Sequence, residues 1–165
     1  MAERFDFDSI YEDETWCAVY ENAEGYQQKF YELVRDECEK SNFPNLEVTI
    51  NEYVTGGLVF NRESTKMLKI KARNSAFKKY EIYYRAQLFG NFILYTRMEC
   101  MERSVFESLS SKTGLELKAL LKKKCKNMAQ YEEFVAIDEL ADILFYKAIM
   151  KLDPEFKERK MLKTK

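Results

Sequence analysis

The stretch from Met67 to Cys100 decides the architecture. It reads MLKIKA (67–72), a short loop, KYEIYYRAQ (79–87), LFGN (88–91) and FILYTRMEC (92–100). In the middle run every second residue is apolar: Tyr80, Ile82, Tyr84, Ala86 and Leu88. Lys79, Glu81, Tyr83, Arg85 and Gln87 lie between them. A period of two sends these sets to opposite faces of a strand. Tyr, Ile, Phe and Thr suit a pleated, half-buried surface. Phe89-Gly90-Asn91 is a hairpin signal, because Gly and Asn tolerate positive φ. The centre of the chain therefore reads as an antiparallel hairpin with one face buried.

Outward from this hairpin, Leu46 to Val54 alternates in the same way, with Leu46, Val48, Ile50 and Val54 on one side and Glu52 the exception. Thr55-Gly56-Gly57 reads as a tight turn, Leu58-Val59-Phe60 as a short strand, and Asn61 to Thr65 as another turn. Met67 to Ala72 points Leu68, Ile70 and Ala72 inward. These pieces predict a meander of about five antiparallel strands over 46–100.

The flanks read as helix. Tyr26, Phe30, Leu33, Val34 and Cys38 recur at helical spacing over about Ala23 to Lys40, and Ser41 to Asn45 ends that run with Pro44. Trp16, Val19 and Tyr20 suggest an earlier helical turn, after an acidic arm over 1–15. Beyond Cys100 the period changes. Val105, Phe106 and Leu109 suggest a short helix, and Leu117 to Met128 a second. A third over Tyr131 to Leu152 carries a wide apolar face and stops at Asp153-Pro154. Residues 154–165 form a basic tail, and both termini are expected to be flexible. Strands grouped centrally with helices at either end predict a single α+β domain: an N-terminal helix, the meander, and C-terminal helices on one sheet face.

Composition narrows function. The chain of 165 residues is 46% hydrophobic and contains no histidine. Ser-His-Asp and Cys-His catalysis and His-ligated metals are thereby excluded. The four cysteines, Cys17, Cys38, Cys100 and Cys125, form no C-x-x-C pair and read as reduced thiols of a cytoplasmic protein. The start is acidic rather than basic, and no apolar run nears the roughly 20 residues that span a bilayer. No membrane partner is expected. The formal net charge of −1 hides a gradient: residues 1–60 hold 14 acidic and 4 basic groups, and the remainder 14 and 23.

Three constellations are candidates for chemistry. The polar face of the sheet should gather Lys69, Lys71, Lys79, Tyr83, Arg85, Tyr95 and Arg97, with Arg73 in the adjacent loop and Tyr53 on the first strand. Aromatic rings beside cations serve a protein interface or the stacking and phosphate contacts of single-stranded nucleic acid. A solvated sheet face has the same composition. A lysine patch at 118, 122–124 and 126 adds basic charge, and it equally suits a solvated helix face.

The third lies on the last long helix, where Asp138, Glu139 and Asp142 share a face and could hold Mg²⁺. Its segment DELADILF (138–145) resembles the E-x-x-D helix of the all-α nucleotide pyrophosphatases of the MazG-like group. In that family an earlier E-x-x-E helix completes the metal site, and Glu99 with Glu102 is the candidate here. The resemblance spans eight residues and implies an Mg²⁺-dependent nucleotide hydrolase using Glu139 and Asp142. A solvated acidic helix face is the plainer reading. The sequence favours a non-enzymatic cytoplasmic binding protein without a cofactor, using the basic, aromatic sheet face. A protein partner is the leading expectation. Nucleic acid is the alternative, the hydrolase a second one, and a homo-oligomer is compatible with the same face.

Overall fold

A computed structural model describes residues 3–55, 63–73, 80–101, 119 and 121–163. Two strands precede the first helix: β1 (Glu3–Arg4) and, after a 3-10 turn at Phe7–Ser9, β2 (Ile10–Val19). Helix α1 (Tyr26–Ser41) follows, then β3 (Leu46–Thr55), β4 (Glu63–Ala72), β5 (Glu81–Phe89) and β6 (Phe92–Cys100). Residues 121–124 are helical, within the second helix expected over Leu117 to Met128, and helices α2 (Met128–Leu152) and α3 (Phe156–Lys163) follow. The fold is α+β. The expected N-terminal helix comes third in order, after two strands, because Trp16 and Val19 belong to β2 and not to a helical turn. Residues 156–163 of the expected basic tail are helical.

The six described strands are ordered β1-β3-β4-β5-β6-β2. The sheet is mixed, since β1 runs parallel to β3 while every other pair is antiparallel. Four described strands, rather than about five, form the meander over 46–100. Glu63 to Thr65, expected in a turn, already belong to β4. The strand expected at Leu58 to Phe60 and the helix at Val105 to Leu109 lie outside the described residues. Gly90, at φ 62, turns the β5–β6 hairpin and sets Phe89 opposite Phe92.

One sheet face carries the main core. Leu68, Ile70, Ile82, Tyr84, Ala86, Ile93 and Tyr95 pack beneath α1 and α2. Helix α1 lays Phe30, Tyr31, Val34 and Cys38 on it, and α2 adds nine buried residues from Phe134 to Leu152. The apolar stripe is wide because α2 packs against α1 and also meets the sheet, where the Tyr84 hydroxyl donates to the Ala141 carbonyl at 3.0 Å. Asn127 caps α2, its side chain accepting from the Gln130 N–H at 3.0 Å. At the C-terminal end Trp16 Nε1 donates to Asp153 at 2.9 Å, and Phe156 sits 4.6 Å from the Trp16 ring. Among the described residues the cysteines are free, and burial pushes the Cys38 thiol up to about 11 and Cys100 up to about 12. No described helix is long and apolar enough to cross a membrane.

The opposite face carries a second, smaller core. Tyr53, Met67, Tyr83, Met98 and Cys100 cluster there under Phe5. Phe5 is held by its N–H to the Val54 carbonyl at 3.1 Å, and its ring lies 5.0 Å from Tyr83. The N-terminal segment thus covers part of the face that the described helices leave bare.

Candidate functional site: the helix-free face and the buried arginine

Strand register decides which of the expected residues meet. Lys69 faces Tyr83 across β4 and β5, and Lys71 faces Glu81. Arg85 faces Thr96 on β6, not Arg97. A two-residue turn pairs 89 with 92, so residues of odd number on β5 share a face with even residues on β6. Tyr95 and Arg97 therefore point to the helix side, contrary to the sequence expectation. Tyr95 is buried 4.7 Å from Phe30, its hydroxyl 3.0 Å from that of Tyr20.

On the helix-free face the expected cations are largely engaged. Lys69 Nζ donates to Glu3 at 3.1 Å and lies 3.9 Å from Glu81. Lys71 lies 3.7 Å from Glu81, and Arg73 3.7 Å from Glu47. Arg85 donates to Thr65 at 3.0 Å and Gln87 at 2.8 Å. The Tyr83 hydroxyl donates to Glu81 at 2.6 Å while Phe5 covers its ring. Lys79 lies outside the described residues. The basic, aromatic surface read from the sequence is therefore partly paired, partly covered, and partly on the other face.

What remains open is a regular patch on β5, β6 and β2. Arg85, Thr96 and Thr15 form one rung, Gln87, Leu94 and Cys17 the next, and Phe89, Phe92 and Val19 the last. All nine are half-buried or exposed. The last rung is the most open, with Phe89 and Val19 each 59% exposed and Phe92 51%. Sequence reading missed this patch because isolated exposed apolar residues are ordinary. Only register shows that these three are adjacent.

Arg97 anchors a different constellation inside the molecule. It is 2% exposed, with Glu99 beside it and fully buried. Its Nη2 lies 2.7 Å from Asp142, 3.5 Å from Glu12 and 3.9 Å from Glu14. Tyr80 donates to Glu99, and Tyr146 to Glu14. A bulge between Ile10 and Glu12 lets Tyr11 and Glu12 both reach this side, where the Tyr11 hydroxyl meets Asp138 at 3.5 Å. Burial opposes the Arg97 charge, but Asp142, Glu12 and Glu14 outweigh it and its pKa is raised. Burial also raises Asp142, and the neighbouring acids add to that despite Arg97.

The metal-binding expectation falls on this cluster. Asp142 is engaged by Arg97, while Glu139 is exposed on the helix surface. Glu99 sits on strand β6, and Glu102 lies outside the described residues. Glu12, Glu99 and Asp138 bring one carboxylate oxygen each within 4.8 Å of one another. The positive charge among these groups is the guanidinium. A six-stranded sheet also departs from the all-α architecture that the DELADILF resemblance implies.

Among the described residues, fold and faces together define an α+β protein with helices on one side of a mixed sheet and, on the other, a patch that ends in an exposed apolar rung. No family model matches the sequence, and no curated protein does. Among solved structures the chain is similar to the crystal structure of TTHA0849 from Thermus thermophilus, at 12% identity and a TM-score of 0.30, covering 85% of this chain and 99% of that one.

Proposed function

We propose that this chain is a non-enzymatic interaction protein that docks a protein partner on the uncovered part of its helix-free sheet face. The observation that carries this reading is the nine-residue patch on β5, β6 and β2, ending in the exposed rung Phe89, Phe92 and Val19. Aromatic residues on an open surface are enriched at interface centres. Arg85 is the one charged residue of the nine and the most exposed rung is Phe89, Phe92 and Val19, so the partner surface that meets this rung is apolar.

Charge also separates the protein reading from single-stranded nucleic acid. Strand binding needs cations for phosphate and open rings for stacking. Tyr53 and Tyr83 lie under Phe5, and Lys69 is held by two carboxylates. The hydrolase reading has less support, since the Asp142 carboxylate contacts a guanidinium.

The test places a photo-crosslinking residue at Phe92, with Glu132 on the exposed side of α2 as control. A discrete adduct is expected at Phe92 alone. With the crosslinked protein purified, Phe92→Asp and Val19→Asp should each weaken binding by about tenfold or more. An adduct of twice the mass of the chain would replace the foreign partner by a second copy and overturn the proposal in that form. No adduct, or binding indifferent to both substitutions, would overturn the docking surface itself.

A further inference from the structure

The ladder between β4 and β5 is incomplete. It pairs Leu68 through Lys71 with Tyr84 back to Glu81, although β4 begins at Glu63 and β5 continues to Phe89. Continued, the register would set Met67 against Arg85 and then Lys66 against Ala86. In its place stands the hydroxyl of Tyr31 from α1, which donates to the Lys66 carbonyl at 2.7 Å and accepts from the Ala86 N–H at 3.1 Å. Gln27 Nε2 donates to the Ala86 carbonyl at 2.8 Å. The helix supplies hydrogen bonds that the parted strands no longer exchange. Alternate residues of a strand aim their main-chain groups at the same neighbour, so Ser64 addresses the same gap as Lys66.

This gap holds a cavity of about 370 Å³. Gln27, Gln28 and Tyr31 line it from α1, Ser64 and Lys66 from β4, and Gln87 from β5. The size falls within the range of about 300–1,000 Å³ common for small-molecule sites. Its lining is rich in amide and hydroxyl groups, and Lys66 is the one charged residue in it. The ammonium rests on Gln28 Oε1 at 3.0 Å. Two carboxylates border the cleft: Glu52, opposite Lys66 in the β3–β4 register, accepts from the Ser64 hydroxyl at 3.3 Å, and Glu32 accepts from Gln28 Nε2 at 3.0 Å. One wall is the start of α1, which has no acidic residue in its first turn and no side-chain cap at Gly25.

We propose that this cleft binds a small polar molecule carrying one oxyanion. The oxyanion sits between the Lys66 ammonium and the first turn of α1, where main-chain N–H groups favour negative charge. The polar body of the ligand lies along Gln87 and the β4 main chain that the missing ladder leaves available. A phosphate ester and a carboxylate share this chemistry, and the experiment distinguishes them.

The isotope-labelled protein is titrated separately with inorganic phosphate, glycerol 3-phosphate and glutarate, and its amide resonances are followed. Saturable shifts confined to residues 25–28, 64–66 and 86–87 are expected, with the tighter of the last two probes naming the oxyanion. Lys66→Met, at an exposed position, should weaken that probe by about tenfold. Ser64→Phe should abolish binding by filling the cavity, and Phe92→Asp should leave it unchanged. Shifts that fail to saturate for every probe would overturn the proposal. So would shifts spread over other lysines and unaffected by Lys66→Met.

Discussion

Arg97 and Glu99 occupy strand positions that a hydrophobic pattern reserves for apolar side chains, while Phe92, Leu94 and Met98 take the other face. A buried charge is tolerable when it is paired and hydrogen-bonded. Glu99 has Arg97 and Tyr80, and Arg97 also draws on Asp142 and Glu12. Removing one partner strands the other. Arg97→Leu should therefore cost about 3–5 kcal/mol in urea unfolding, because Glu99 is left charged in the interior. The double substitution Arg97→Leu with Glu99→Leu should recover much of that loss. A double variant no more stable than Arg97→Leu alone would show that the pair is not the source of the cost. These two positions were legible in the sequence only through the turn. Once Gly90 and Asn91 are read as a two-residue loop, register puts Arg97 with Tyr84, on the buried side.

At the scale of elements, α1 and α2 are tied by charge as well as by packing. Glu37 on α1 is almost wholly buried and receives Lys151 of α2 at 2.7 Å, with Lys147 at 3.4 Å and Lys40 at 3.2 Å. The hydrogen bonds from Lys151 and then Lys40 hold its carboxyl down to about 2, below the ordinary 4.5. The folded state thus binds this proton less tightly than the unfolded chain. Its contribution is present above 4.5 and is lost as pH falls through that value toward 2. The unfolding midpoint of the native protein should approach that of Glu37→Gln across this window. Parallel curves would remove the role assigned to the lysines. Strand β2 shows the opposite side of element reading. Glu12 and Glu14 stand where a strand would show apolar residues, and they reach Arg97 and Tyr146 across the interface. The period of two vanished from the sequence because the partner of those acids is itself an arginine.

Taken whole, the molecule has a core on each side of its sheet. The larger lies under α1 and α2, and the smaller is closed by Phe5 over Tyr53, Met67, Tyr83 and Met98. Phe5→Ala should cost about 3 kcal/mol, since a buried ring is lost and the cluster beneath it is opened to water. Amide exchange should rise at residues 3–9 while α2 stays protected, because the two cores lie on opposite faces. Equal loosening of α2 would show that they behave as one unit.

The alternation of β3, β4 and β5, the amphipathic spacing of α1 and α2, and the Gly90 turn were all present in the chain itself. Each depends on residues close in sequence, and local periodicity is enough to express them. Tertiary structure alone decided that β2 pairs with β6, that Phe5 covers the tyrosines, and that Glu12 and Asp142 meet Arg97. Those outcomes rest on contacts between residues far apart in the chain. A charge's place there is set by the partner it finds, and local spacing carries no trace of that partner.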